Sequence, residues 1–534
     1  MQVEQGEQMT WRERAEDLLA RSYQACRSLF SRPEATLVLG LVSGGVLVAI
    51  GFAIGAAAAH TPTPNTPNQL PMHHREAVNV NLGGWFCLED WFYSGTFGRY
   101  VSTPDTVGQG ACLPPVLTGP LDEPWPSEGV LTQRLVASRG IASTLDIFNQ
   151  HRTTYITTSD LDDIASLGVQ VIRLPLTWAA FADALAPIDP ATYGKHNPDT
   201  DTVIVPDPFY HLECKLVTIP RNTLATLLRD IATRGMQVLL DMHAHPGGSS
   251  DGTYNGIYPN APMFWTETSK LGNTTYKLYD AGHLISTAMI KWVEGLDAKT
   301  RVAVAGITVM NEPAHLLKGK VDEDKVLLWL TEAADVFRNS MLPARGVKLY
   351  MNVIETAFAD FDGKVAPWWI GIFSEDERAL WAVMDLHHYL AWTGSCKGES
   401  DPGTPRDGYR CEDALVDIRN ILSGCIAPWA KHFADTYPGL RATTEFSLGT
   451  NQDALHACND LTVLSAFFTL QLGSFASNTI EPFYWTWRMP YGPKFEAGWS
   501  FKQFSGLEGE VFSEKMCQAP KTPQVDDEVA EFIA

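Results

Sequence analysis

Basic side chains are scarce in this sequence of 534 residues, which has 40 Lys and Arg against 62 Asp and Glu and a net charge of -22. This balance argues against nucleic acid as the main partner, because phosphate backbones would be repelled. Cysteines spaced as in zinc fingers and repeats of solenoid length are also absent. With 45% hydrophobic and 19% charged residues, the chain is predicted to be globular rather than disordered or fibrous.

One long hydrophobic run lies near the N-terminus. Residues 36–59 contain no charged side chain, and a helix of that length measures about 36 Å, enough to cross a hydrocarbon core of about 30 Å. Arg21, Arg27 and Arg32 precede the run, whereas Arg75 is the first Lys or Arg after it. The positive-inside rule therefore predicts a type II membrane protein with a cytoplasmic N-terminus. A cleaved signal peptide is the alternative, but its hydrophobic part usually has only about 7–15 residues.

This topology divides the chain into five predicted parts. They are a cytoplasmic tail at 1–35, a transmembrane anchor at 36–59, a proline-rich linker at 60–75, a large folded domain at 76–515 and an acidic tail at 516–534. Of nine cysteines, Cys26 lies in the cytoplasmic tail and eight lie in an oxidising compartment. We expect disulfides among these eight without an assigned pairing: Cys87, Cys112, Cys214, Cys396, Cys411, Cys425, Cys458 and Cys517. A glycosylation sequon at Asn273 lies on the same side.

Short apolar runs alternate with amphipathic segments after the linker. Eight runs are predicted strands: 78–83, 169–174, 236–242, 305–310, 347–353, 383–386, 442–445 and 482–486. Segments such as 223–234 and 325–339 have the apolar spacing of helices. Buried strands alternating with helices predict an α/β fold, a (β/α)8 TIM barrel. Stretches rich in Gly, Pro, Asp and Cys are predicted to be surface loop insertions held by disulfides: 99–152, 186–215 and 392–425.

Polar side chains follow most of the predicted strands, where the catalytic residues of such a barrel lie. They are Glu89, Arg173, His243, Asn311, Glu312, His387, Tyr389, Glu445 and Trp487. An isolated charged residue after a strand is usually a solvated loop residue. A ring of carboxylates, histidines, an arginine and tryptophans instead predicts an active site.

Two glutamates in this ring suit the cleavage of a glycosidic bond. One carboxyl group protonates the leaving oxygen, while the other attacks the anomeric carbon or activates water. Glu312 and Glu445 would end strands that face each other across the barrel mouth, so we expect them to approach closely. Arg173 is expected to keep Glu445 ionised, and Tyr389 to donate a hydrogen bond to it. Trp487 is expected to offer a flat apolar surface to a sugar ring.

Eight short motifs occur in one order along the predicted barrel. They are NLGGWFCLE at 81–89, VIRLP at 171–175, LDMH at 240–243, NEP at 311–313, DLHHY at 385–389, TEFS at 444–447, YWTWR at 484–488 and GWSF at 498–501. Together they resemble the fungal exo-β-1,3-glucanases of glycoside hydrolase family 5, over about residues 78–505. Two features differ from that family. Thr444 precedes Glu445 where the family usually has glycine, and the loop at 245–252 differs from the usual sequence.

The resemblance implies a role for each site residue. Glu312 is similar to the family's acid/base and Glu445 to its nucleophile. Asn311 would contact the sugar 2-hydroxyl. The remaining residues would order the nucleophile and the first sugar subsite, or hold the terminal glucose: Arg173, His243, His387 and Tyr389 in the first group, Glu89 and Trp487 in the second. No metal or other cofactor is implied.

The sequence therefore predicts a retaining β-glucosidic bond hydrolase, exo-acting on β-1,3-glucan, outside or in the lumen beyond a membrane. Three alternatives remain open. The substrate could be a glucosylated lipid, since the predicted anchor would hold the site near a membrane. The protein could be an inactive glucan-binding protein of the cell surface. It could also be a metal-dependent hydrolase that uses His243, His245, His387 and His388 as ligands.

Overall fold

Eight parallel strands form a closed barrel in this computed structural model, which describes residues 78–89, 125–266, 269–271, 274–399, 408–451, 457–489 and 498–507. The strands are β1 Asn79–Asn81, β2 Val171–Thr177, β3 Gln237–Ala244, β4 Val304–Thr308, β5 Lys348–Val353, β6 Ala382–Leu386, β7 Leu440–Phe446 and β8 Ile480–Tyr484. Each strand pairs with the next along the chain, and β8 pairs with β1. All eight predicted strands are present, and the barrel is that of a (β/α)8 fold.

Helices connect the strands on the outside of the barrel. They are α1 Glu128–Thr154, α2 Thr158–Ser166, α3 Pro190–Tyr193, α4 Arg221–Thr233, α5 Leu278–Gly295, α6 Ala298–Arg301, α7 Glu323–Arg338, α8 Phe361–Ile372, α9 Glu375–Leu380, α10 Leu415–Thr436, α11 Leu461–Ser477 and α12 Phe501–Phe504. The predicted helices at 223–234 and 325–339 correspond to α4 and α7. In α4 the buried residues Leu224, Leu228 and Ile231 recur every three or four positions, so one face packs inward.

Alternation along the strands creates two apolar layers. Six strands each place one side chain in a cluster inside the barrel: Val171, Leu239, Tyr350, Val383, Ala442 and Phe483. Their neighbours point the other way, so that Leu240 packs in the larger cluster that includes Leu224 and Leu228 of α4. The inner cluster fills the barrel below the strand ends and leaves the polar side chains above it.

The predicted insertions are only partly loops. The prediction of a loop at 99–152 is wrong for its second half, because helix α1 occupies 128–154. This helix is interrupted at Gly140, where φ is 79°. In the second insertion, Ile204–Pro206 pairs with Lys215–Val217 as an antiparallel hairpin after α3. In the third, Gly398–Glu399 pairs with Tyr409–Arg410 before α10 begins at Leu415.

Two disulfides hold the third insertion, and this confirms the prediction of disulfides for that segment. Cys396 is bonded to Cys425 and Cys411 to Cys458. The expectation is wrong for Cys87 and Cys214, which are buried free thiols. The Cys87 sulfur lies 3.6 Å from the carbonyl oxygen of Tyr254, and Cys214 accepts a hydrogen bond from Asn260 at 3.4 Å. No second cysteine among the described residues reaches either sulfur.

Several predicted features lie outside the described residues. They are the tail at 1–35, the anchor at 36–59, the linker at 60–75, the tail at 516–534, the sequon residue Asn273, and Cys26, Cys112 and Cys517. Within the described part of the chain, no helix is both long and apolar enough to cross a membrane.

Candidate active site

The C-terminal ends of the barrel strands bring the predicted polar side chains together. Arg173 lies in β2, His243 in β3 and Glu445 in β7, while Glu312 and His387 follow β4 and β6. All five side chains are at least nine-tenths shielded from solvent, so their charges interact with one another rather than with bulk water. The barrel therefore gathers one buried ionic network at the end where catalytic sites lie.

Glu312 and Glu445 approach each other closely. One oxygen of each carboxylate and one ring nitrogen of His387 all lie within 4.8 Å of one another. His387 Nδ1 is 2.8 Å from Glu312 Oε1 and 3.4 Å from Glu445 Oε2, so it lies between the two groups. This spacing matches a carboxylate pair in which one member attacks directly, and it is shorter than the separation of about 6.5–9.5 Å that accommodates a water molecule.

The carboxylate of Glu445 is held from both sides. Arg173 donates to Glu445 Oε1 at 2.6 Å, and the hydroxyl of Tyr389 donates to Oε2 at 2.7 Å. Arg173 also donates to the side chains of Asn81 at 3.0 Å and Asn311 at 2.6 Å. Because the guanidinium is itself fixed by several acceptors, Glu445 has one orientation and a permanent positive charge beside it.

Glu312 lies in a different environment. Its Oε2 accepts from the hydroxyl of Tyr254 at 2.5 Å and lies 3.7 Å from His315 Nδ1. Burial opposes ionisation, but His315, His387 and Tyr254 together hold the pKa of Glu312 below its usual range. The backbone at Glu312 has φ 39°, a left-handed conformation that is uncommon for a residue with a side chain. Its amide donates to Asn352 Oδ1 at 2.6 Å, which fixes this turn.

His243 of β3 lies between Asp241 of the same strand and Glu89 of the segment after β1. Its Nδ1 lies 2.6 Å from Asp241 Oδ2, and its Nε2 lies 3.5 Å from Glu89 Oε1. Burial favours the neutral ring, but Asp241 and Glu89 overcome this effect and raise the pKa of His243 to about 10. The ring is parallel to the indole of Trp485, with 5.5 Å between their centroids. Glu89, His243 and Trp485 therefore form one wall of the site.

The tryptophan of the site is Trp485, and the prediction of Trp487 is wrong. The Trp487 side chain is fully buried in the large core, and its indole donates to Asp160 Oδ1 at 3.0 Å. Its backbone amide donates to the carbonyl of Asn81 at 2.8 Å. Trp485 directly follows β8, and this position places its ring against His243.

The four histidines of the metal-site alternative do not converge. His245 Nε2 lies 2.9 Å from the carbonyl oxygen of Val309, and its ring packs against Phe264 and Trp329. His388 packs against Trp429, with 4.0 Å between ring centroids. Burial lowers the pKa of each of these two rings to about 4. Among the described residues, the group with the spacing of metal ligands is Glu312, His387 and Glu445, the catalytic candidates themselves.

Five further residues belong to this network: Asp241, Tyr254, Asp385, Thr444 and Trp485. Two of them carried a signal in the sequence, because Asp241 and Asp385 each stand two positions before a site histidine. Residues two apart on a strand share a face, so Asp-x-His predicts a carboxylate beside the ring. Tyr254 comes from the loop after β3, and its position depends on the course of that loop.

Curated proteins named probable glucan 1,3-beta-glucosidase A are similar to this chain. The protein from Neosartorya fischeri is 24% identical over 345 residues, which are 64% of this chain and 63% of that protein. The Aspergillus fumigatus protein is 22% identical over 477 residues (85% and 92%), and that of Aspergillus terreus is 27% identical over 348 residues (65% and 64%). The chain thus spans slightly less than two thirds of the Neosartorya and Aspergillus terreus relatives. No family model matches it.

Two solved structures are similar in fold. One is AoRut, with 18% identity, coverage of 80% of this chain and 95% of that chain, and a TM-score of 0.49. The other is the rutinosidase from Aspergillus niger, with 16% identity, coverage of 81% and 97%, and a TM-score of 0.47.

Proposed function

We propose that this protein is a retaining β-glycoside hydrolase of the family 5 type, acting on β-1,3-glucan. The observation that carries the proposal is the pair Glu312 and Glu445, whose nearest carboxylate oxygens lie within 4.8 Å of each other. Glu445 is held by Arg173 and Tyr389. The relatives named glucan 1,3-beta-glucosidase support the glucan as substrate.

The first step joins the sugar to Glu445. A Glu445 oxygen forms a bond to the anomeric carbon while the bond from that carbon to the leaving oxygen breaks. The leaving oxygen takes a proton from Glu312, and the product is a covalent glycosyl-enzyme. Arg173 and Tyr389 orient the attacking carboxylate, so little rotational freedom is lost on the way to the transition state.

In the second step Glu312, now without its proton, accepts one from water. The water oxygen bonds to the anomeric carbon and the bond to Glu445 breaks, so the sugar leaves with its original configuration. The same residue therefore acts first as acid and then as base.

The proton that Glu312 needs is held close by. His315, His387 and Tyr254 hold the pKa of Glu312 below its usual range, so this carboxyl group needs a proton donor nearby. Burial lowers the pKa of His387, but Glu445, Glu312 and Asp385 together raise it above its usual value. The bond of 2.8 Å between His387 Nδ1 and Glu312 Oε1 is the route by which the proton reaches Glu312.

An aromatic group beside Glu445 is suited to a sugar ring. Tyr389, Trp392 and Trp499 lie within 5.5–5.8 Å of one another by ring centroids. Trp392 is 44% exposed, an unusual value for a tryptophan beside a buried site. The exposed part of this side chain would contact the C–H groups of a sugar next to the cleaved bond.

The charge-free run at 36–59 supports a second part of the proposal, a type II membrane protein with its catalytic domain outside or in a lumen. The same run favours one alternative substrate, a glucosylated lipid, because the anchor would hold the site close to a membrane. Since Arg173 and Tyr389 contact Glu445 and His387 contacts Glu312, an inactive binding protein is the less favoured alternative.

The test uses the full-length protein on laminarin-type glucan, cellulosic oligosaccharides and a glucosyl-lipid, with product anomers followed by NMR. The proposal predicts hydrolysis of laminarin with β-glucose as the first product. Glu445→Gln should lower kcat by at least about a thousandfold without loss of folding. First-formed α-glucose, or equal laminarin hydrolysis by wild type and Glu445→Gln, would contradict the proposal. Preference for the lipid would change the substrate but keep the mechanism.

A further inference from the structure

Thr444 connects a buried carboxylate to the histidine between the two catalytic glutamates. Its hydroxyl lies 2.6 Å from Asp385 Oδ2 and 3.2 Å from His387 Nε2. Thr444 is fully buried, as is Asp385. This is the position at which the sequence departs from the glycine that its resemblance leads one to expect.

The hydroxyl of Thr444 donates its hydrogen bond to Asp385. The backbone amide of Glu312 donates to the side-chain oxygen Oδ1 of Asn352 at 2.6 Å. The side-chain nitrogen Nδ2 of Asn352 therefore faces Asp385 and donates to its Oδ2 at 3.0 Å. The backbone amide of Thr444 donates to Asp385 Oδ1 at 2.8 Å. Both oxygens of Asp385 thus accept hydrogen bonds from other groups, and the hydroxyl of Thr444 donates to Oδ2 at 2.6 Å.

A hydroxyl that donates to Asp385 has only lone pairs left for His387. The ring nitrogen that faces it, Nε2, must then carry a hydrogen. The other nitrogen, Nδ1, faces Glu312 Oε1 and Glu445 Oε2. Nδ1 is thus the ring nitrogen that can gain or lose a proton, and Glu312 is its nearest partner.

We infer that Thr444 is a positioning residue that fixes the tautomer of His387, so that His387 exchanges its proton with Glu312 through Nδ1. This inference rests on the proposed hydrolase function, because it describes how the acid is supplied with its proton. In the transfer, the N–H bond at Nδ1 breaks, an O–H bond forms at Glu312, and the ring becomes neutral with its hydrogen on Nε2. Without Thr444 the neutral ring would keep its hydrogen on Nδ1, where the carboxylates attract it.

The charged and titratable groups around His387 all favour this arrangement. Glu312 follows β4, Glu445 lies in β7 and Asp385 in β6, and each is an acceptor facing the ring. Arg173 of β2 donates to the far oxygen of Glu445, and Tyr389 donates to the near one. Further off, Tyr254 and His315 contact Glu312 rather than His387.

The first test compares Thr444→Val, which keeps the shape but lacks the hydroxyl, with Thr444→Ser, which keeps the hydroxyl. On laminarin, which has a poor leaving group, Thr444→Val should lower kcat/KM by about 100-fold, at the lower end of the range for general acid catalysis. On dinitrophenyl β-glucoside, whose leaving group needs no proton, the loss should be within about threefold. Thr444→Ser should restore the activity on laminarin.

Thr443→Val provides a matched control on the same strand. Thr443 is also fully buried, but its hydroxyl donates to the backbone carbonyl of Glu445 at 3.1 Å and contacts neither Asp385 nor His387. This variant should lose equally little on both substrates. If Thr444→Val lowers both activities by the same factor, or neither, the inference is overturned.

The second test determines the tautomer of His387 and does not depend on enzymatic activity. Nitrogen NMR of isotope-labelled histidines, assigned through His387→Asn, should show that the neutral ring of His387 carries its hydrogen on Nε2 in wild type and on Nδ1 in Thr444→Val. A hydrogen on Nδ1 in neutral wild-type His387 would overturn the inference even in an active enzyme. Wild-type protein with no glycosidase activity, but with the Nε2 hydrogen, would instead contradict the proposed function alone.

Discussion

At the scale of single residues, azide should rescue the alanine variants of Glu445 and Glu312 with opposite product configurations. Glu445→Ala leaves a space on the face of the sugar that the nucleophile would attack, so azide should restore activity on an activated β-glucoside and give the α-glucosyl azide. Glu312→Ala keeps the nucleophile but removes the base, so azide should react with the glycosyl-enzyme and give the β-glucosyl azide. NMR of the products distinguishes the two. The same azide anomer from both variants would contradict the assignment of roles.

The two tryptophans after β8 should respond differently to substitution. Trp487→Phe removes the hydrogen bond to the buried Asp160 and should lower the free energy of unfolding by about 1–3 kcal/mol, with kcat/KM unchanged. Trp485→Phe reduces the aromatic surface beside His243 and should lower kcat/KM roughly tenfold. Urea unfolding and steady-state kinetics on both variants check this. The reverse pattern would restore Trp487 as the sugar contact.

Most residues of the candidate site can be predicted from the sequence because they lie next to strand ends. Arg173, Glu312 and Glu445 are found by that rule alone, and the structure brings them together. The choice between Trp485 and Trp487 was not accessible, because it depends on the exact residue at which β8 ends. Tyr254 lies on a loop, and no periodicity in the sequence reports where a loop side chain points.

At the scale of elements, α1 begins with a buried glutamate. Glu128 Oε2 accepts a hydrogen bond from the amide of Leu88 at 2.8 Å. Burial raises the pKa of Glu128 from 4.5 to about 7, although Arg152 and the Leu88 amide act in the opposite direction. The helix start is therefore most stable with this side chain protonated.

The sign of the pH effect follows from linkage. Between pH 4.5 and about 7 the folded state holds a proton that the unfolded state has lost, so this contribution to stability is present below pH 4.5 and is lost as the pH rises through 7. Glu128→Gln mimics the protonated form. Relative to wild type, its free energy of unfolding should increase by roughly 3 kcal/mol from pH 4.5 to pH 8, measured with urea. A difference that is constant with pH would contradict this account of α1.

The elements themselves were predictable to different degrees. The strands are short buried apolar runs, and their order follows from the alternation with helices. The sequence does not predict helix α1, because the segment is largely polar and contains Gly140, where the backbone leaves the helical conformation. Its buried residues, among them Leu131, Leu135 and Phe148, contact a smaller cluster that includes Trp125 and Trp485. Tertiary packing therefore stabilises this helix more than its own propensity does.

At the scale of the whole molecule, the cysteines that the structure describes should react in two classes. Cys87 and Cys214 are buried thiols whose pKa values burial raises, so they should resist alkylation in the native protein and react once it is unfolded. Cys396, Cys411, Cys425 and Cys458 should react only after reduction and unfolding. Peptide mapping by mass spectrometry assigns each site. Rapid labelling of Cys87 in the native protein would contradict the burial of this thiol.

If the proposed function is correct, Glu445 forms a covalent bond to the sugar during a retaining reaction. The most direct measurement is to incubate the full-length protein with 2-deoxy-2-fluoroglucosyl fluoride and to locate the adduct by mass spectrometry of proteolytic peptides. We expect one fluoroglucosyl group on the peptide that contains Glu445 and none in Glu445→Gln. An adduct on Glu312, or turnover of a natural β-glucan with inversion and no adduct, would contradict it.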